Sequence, residues 1–179
     1  VAEARLRDAV RFDRGSHVGH WALGTFLLRH GTTAKVLTEA RDSLVTAERF
    51  APDTPGAAQL RAEIRADLGA AHLAVGDVAA AEAAFGASLS ADAKHQGAIA
   101  GLFACDYLRL LAGEEPAERE LPAELEGLGP ELLSARGLLA LEAGNYRAAR
   151  SDLESAVAVG PLSAHRPLAA LSRLAEATG

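Results

Sequence analysis

The chain has 179 residues, 49% of them hydrophobic but only 4% aromatic, and a formal charge of −6. That length suits one domain with a sizeable core, and apolar content made mostly of Ala, Leu and Val favours closely packed helices over a sheet. The negative charge and an isoelectric point near 5.5 argue against nucleic acid or an anionic membrane as partner.

No apolar run reaches the roughly 18 residues that a membrane-spanning helix requires, so membrane insertion is not expected. Cys105 is the single cysteine, which excludes an intrachain disulfide and a multi-cysteine metal site. Lysine occurs only at Lys35 and Lys94, while Arg, Ala and Gly are plentiful; this is the composition of a GC-rich bacterial genome.

In chain order, residues 1–14 open with "VAEARLRDAVRF", which has neither an initiator Met nor a signal-peptide core. It reads as a helix entered part-way, and hence as a piece of a larger protein whose compartment stays open. Residues 17–53 contain "WALGTFLLRHG" and end near Pro52; residues 56–94 contain "ADLGAAHLAVGDVAAAEAAFGASL". Residues 96–129 begin with a helical "GAIAGLFACDYLRLLA", and Pro116 and Pro122 then interrupt the segment, predicting a short, irregular second helix. Residues 130–162 contain "ARGLLALEAGNYRAARSDLESAVAVGP". Residues 163–178 form a last helix, with Leu168, Leu171 and Leu174 expected on one buried stripe.

The glycines are periodic. Gly24 and Gly31, Gly69 and Gly76, and Gly137 and Gly144 are each seven apart, and Gly69 and Gly137 are separated by 68 residues, two units of 34. Ala81 and Ala149 follow the second glycine by five residues, and Phe85 and Leu153 by nine. A leucine precedes Gly24 and Gly69, whereas Arg136 precedes Gly137. These segments resemble tetratricopeptide repeats, whose 34-residue unit is a pair of antiparallel helices. The resemblance implies an all-α fold, an α-solenoid of helix pairs wound as a right-handed superhelix, running through a single domain over residues 1–179.

Physical chemistry accounts for the landmarks. The first glycine and the late alanine let two helices approach closely; the second glycine supplies a left-handed cap. Asp77 and Asn145 are suited to capping the following helix. In residues 17–53 the closing Pro52 comes four residues late, which places an insertion at or near "TTAK". The segment "PGAAQLRAEI" adds about two helical turns before Leu68. In residues 96–129 the phase puts the Leu-Gly pair at Leu102-Phe103 and the second glycine at Leu110. Residues 1–14 read as the second helix of a preceding repeat, and 163–178 as a capping helix or the first helix of another.

No catalytic constellation, cofactor site or metal site is legible, so the chain reads as a non-enzyme. His17 and His20 fit a polar turn feeding a helix better than a metal site with His30 or Asp13. His72 takes a position suited to helix packing, Cys105 fits a buried small hydrophobe, and Asp106 and Asp152 read as helix-surface residues. The run from Glu114 to Glu126 holds six glutamates and one arginine, a solvated segment or a patch for a basic partner.

The resemblance implies a protein–protein interaction scaffold that takes a peptide or helix in a concave groove lined by first helices. The groove positions correspond to Trp21, Thr25, Leu28 and Arg29, then Glu63, Asp67, Ala70 and Leu73, then Ser134, Leu138 and Leu141. Trp21 is the expected anchor, with packing against residues 1–13 as its alternative. The family's clamp for chaperone carboxy-termini would need basic and amide side chains where Trp21, Thr25, Asp67 and Ala135 stand, so that ligand is not expected. The alternative function is a regulatory or sensor domain of a larger bacterial protein, such as a kinase, transcription regulator or secretion component. Cut end helices would also offer surfaces for self-association.

Overall fold

A computed structural model describes residues 1–115, 117, 129–159 and 165–178. The protein is all-α: nine α-helices and no strand are present among the described residues. Two compact units divide the chain, Val1–His95 and Gln96–Gly179.

The first unit contains α1 (Ala2–Phe12), α2 (His17–His30), α3 (Ala34–Phe50), α4 (Ala58–Ala74) and α5 (Val78–Ala91). Helices α2 and α3, and α4 and α5, form hairpins over three-residue connections, and α3 also packs on α4. Each hairpin closes where the glycine expectation put it. A Cβ built on Gly24 would lie 2.6 Å from Leu44 Cγ, and one on Gly69 2.6 Å from Phe85 Cε1. Leu44 and Phe85 are almost fully buried, and Ala40 and Ala81 beside them have no exposure. Ser88 reinforces the second hairpin by donating its hydroxyl to the Ala62 carbonyl at 2.7 Å, which satisfies a buried polar group.

Local signals set the helix ends. Ser16, Thr33 and Asp77 each accept a backbone N–H through the side chain at the starts of α2, α3 and α5. Gly76, at φ +85°, closes α4 in a left-handed cap in which the Gly76 and Asp77 amides donate to the Leu73 and His72 carbonyls. Gly31 corrects the parallel expectation. Its φ is −74°, and a Cβ there would lie 2.5 Å from the Leu27 carbonyl oxygen and 2.7 Å from Val36 Cγ1. A close approach, not a left-handed turn, therefore requires that glycine. The four-residue insertion appears as an extra N-terminal turn on α3, since Ala40 and Leu44 do the work of Ala81 and Phe85 four residues later in phase. The addition before Leu68 is partly a 3-10 turn at Pro55–Ala57, and α4 is correspondingly long at 17 residues.

Helix α1 lays Leu6 and Val10 against Leu23, Leu27 and Ala40, and Arg7 ties it to Glu39 of α3 through a two-pronged ion pair. That hydrogen bond holds the Glu39 carboxyl below its ordinary value.

The second unit contains α6 (Gln96–Leu111), α7 (Pro130–Glu142), α8 (Tyr146–Val159) and α9 (His165–Thr178). Helix α6 packs on α7, and α7 and α8 form a hairpin covered by α9. A Cβ on Gly137 would lie 2.8 Å from Leu153 Cγ. Gly144 is left-handed at φ +76°, and Asn145 accepts the Ala148 N–H. The same glycine cap ends α6 at Gly113, φ +80°, three residues beyond the expected Leu110. The predicted irregular helix and most of the acidic run lie outside the described residues.

Two expectations are corrected here. Asp106 and Asp152 are not surface residues but 0% and 7% exposed. Leu168 is half exposed, and the stripe that α9 buries runs through Pro167, Ala170, Leu171 and Leu174. Spacings of three, one and three hold a stripe in phase with 3.6 residues per turn, whereas repeated steps of three rotate away from it.

Asp152 also explains the break in the Leu-Gly pattern at Arg136. Where the first unit has Leu68 in a core cluster against which Ala84 packs, the second pairs Arg136 with Asp152 in two hydrogen bonds, one of 2.6 Å. This contact raises the Arg136 guanidinium's already high pKa. Removing one partner strands the other, whereas exchanging both for apolar groups does not. Arg136→Leu is expected to cost about 3 kcal/mol in urea unfolding. Arg136→Leu with Asp152→Ala, the first unit's own pair, is expected to recover most of that loss.

Candidate functional site

The expected groove residues fall in both units. In the first, α2 and α4 bring three of them into direct contact. The Trp21 indole N–H donates to Asp67 Oδ2 at 2.6 Å, and the Thr25 hydroxyl donates to the same oxygen at 3.1 Å. The four-residue step from Trp21 to Thr25 puts both donors on one face of α2, and α4 presents Asp67 to that face.

The Trp21 ring packs on the cluster of Leu44, Leu68 and Ala71 beside Leu28. Its ring thus packs on the α3–α4 core. Trp21, Thr25, Asp67, Leu28, Ala70 and Leu73 are all half-buried. Arg29 is exposed at the end of α2, and Glu63, one turn before Asp67, lies 3.2 Å from His95 Nε2.

Asp67 differs from several other carboxylates of the chain. Glu39, Glu48, Glu142 and Asp152 each lie against an arginine. Asp67 has neutral donors and no ion pair with any described residue.

The three positions in the second unit serve its interior more than its surface. Ser134 donates its hydroxyl back to the Pro130 carbonyl within α7. Leu138 packs on the core cluster, and Leu141 belongs to it at 7% exposure with Ala149, Leu153, Ala170 and Leu174. Leu141 thus corrects its expected place on a groove, because α8 and α9 cover it. What sequence reasoning missed is the Trp21–Thr25–Asp67 bonding. Each residue was singled out, but a contact across 46 positions leaves no local signal.

His20 Nε2 lies 3.1 Å from the Arg14 carbonyl, and His30 packs on Phe26 with ring centroids 4.5 Å apart. Cys105 is buried, and His72 is half-buried with its Nδ1 lacking a hydrogen-bond partner. No group of three or more His, Cys, Asp or Glu among the described residues is arranged to hold a metal ion. No described helix is long and apolar enough to cross a membrane. Comparison with protein-family models, curated proteins and solved structures finds no match for this chain.

The indole–carboxylate bond has a measurable cost of removal. Trp21→Phe keeps the ring on its cluster but leaves Asp67 with one donor, and is expected to lower unfolding stability by about 1–2 kcal/mol. Urea denaturation followed by circular dichroism reads the change. A loss indistinguishable from zero would mean that solvent replaces the indole without penalty.

Proposed function

We propose that this chain is a tetratricopeptide-like α-solenoid module that binds a protein or peptide partner rather than catalysing a reaction. Its working surface in this reading is the face that α2 and α4 share. The observation that carries it is half-buried Trp21, held by its bond to Asp67, which Thr25 also donates to, on the helix pair that carries the half-buried apolar residues Leu28, Ala70 and Leu73, read here as an apolar shelf. A fixed aromatic side chain beside an apolar shelf suits an amphipathic helix or extended peptide laid across it. The close glycine contacts support the reading by holding the helix hairpins in fixed register.

The test is a display selection of random peptides about four helical turns long against the wild-type chain. Selected peptides are expected to shift the fluorescence of Trp21, the only tryptophan. They are expected to bind at least about tenfold more weakly to Ala70→Glu, whose added bulk and charge block the shelf. Failure to select any peptide, or selected peptides indifferent to Ala70→Glu in a chain with unchanged melting, would overturn the proposal.

A further inference from the structure

The state of Asp67 carries the reading of this surface further. Its Oδ2 is occupied twice, by the indole N–H and the Thr25 hydroxyl. Its Oδ1 accepts no hydrogen bond from a described residue and is not a buried unsatisfied atom, so it opens to solvent. The carboxylate is therefore fixed through one oxygen by neutral donors and left with a second oxygen open to solvent and no ion-pair partner among the described residues.

No arginine on the same two helices pairs with it. On α4, Arg61 pairs with Asp53, and Arg65 with Glu48 and the Ala87 carbonyl. On α2, Arg29 is exposed a turn beyond Thr25 and forms no ion pair with a described residue. The half-buried carboxylates Glu39, Glu48 and Glu142 each meet an arginine. Here the chain spends a tryptophan and a threonine on orientation instead. A half-buried carboxylate keeps its favourable hydration only in part, so an incoming cation meets less competition from water than it would on an open surface.

We propose that Asp67 is the charge-reading anchor of this face, and that its occupant is a peptide segment presenting one lysine or arginine beside an apolar strip. This rests on the interaction-module reading above. Charge complementarity selects the cation, and Leu28, Ala70 and Leu73 select the apolar strip. A single open oxygen suits one N–H donor and is too few ligands for a metal ion.

The test uses the peptides selected on wild type and the Asp67→Asn chain, whose amide oxygen still accepts from the indole and the hydroxyl. Expected are peptides with a lysine or arginine at constant spacing from their apolar residues. Replacing that cation by glutamine should weaken binding to wild type at least about tenfold, and to Asp67→Asn by less than about twofold. Equal binding of the two peptides to wild type would overturn the proposal even if Asp67→Asn proved unstable. If those peptides still depend on Ala70, the interaction reading stands and only the charge reading falls. If no peptide depends on Ala70, both fall. A concentration-dependent dimer in sedimentation that Asp67→Asn leaves intact and Ala70→Glu dissolves would make a second copy the occupant and overturn the proposal as well.

Discussion

The packing of this protein depends on how closely two helices approach when one carries a glycine against a large buried side chain of the other. At Gly24 with Leu44, Gly69 with Phe85, and Gly137 with Leu153, a single added methyl would come within 2.8 Å of the facing atom. A glycine inside a helix costs roughly 1 kcal/mol of propensity relative to alanine. Close packing must return more than that, through dispersion contacts and the burial of residues such as Phe85 at 2% exposure. The alanines beside each contact, Ala40, Ala81 and Ala149, have no exposure; they keep the second helix narrow where the first has no side chain.

From that constraint the rest follows in order. Close hairpins leave little room between helices, so connections of three residues suffice, and glycine caps at Gly76 and Gly144 turn the chain within them. The hairpins of the first unit then meet through α3 and α4, and through the bonds from α2 to Asp67. In the second unit a charged pair enters this scheme in matched form. Arg136 and Asp152 replace an apolar pair in the second unit, and each is acceptable in the core because the other is present.

Much of this was legible in the sequence because it is local. Glycine spacing, capping residues and the helical pattern lie within a few turns of one another, and they located the hairpins and the insertion ahead of Ala40. What could not be read depends on partners far along the chain. Asp152 looks like a surface residue until Arg136 is placed beside it, and Leu168 looks like its neighbours Leu171 and Leu174 until the helix face is fixed by Pro167 and Ala170. Gly31 has the right position for a left-handed cap, but the extra turn of α3 brings Val36 against it and uses its missing side chain for space. The candidate surface was legible as a set of positions, Trp21, Thr25 and Asp67 among them. Its chemistry, a carboxylate oriented by neutral donors with one oxygen open, appears only when α2 and α4 are brought together.

The most direct test of the packing account is a double-mutant cycle between Gly69 and Phe85, read by urea unfolding. Gly69→Ala alone should destabilise the chain by about 1–3 kcal/mol, because the overpacked methyl outweighs the helix propensity gained. In a Phe85→Leu background the ring is gone, and the same substitution should become neutral or mildly stabilising. Equal costs in the two backgrounds would contradict the account, because the glycine would then be required for a reason other than its contact with Phe85.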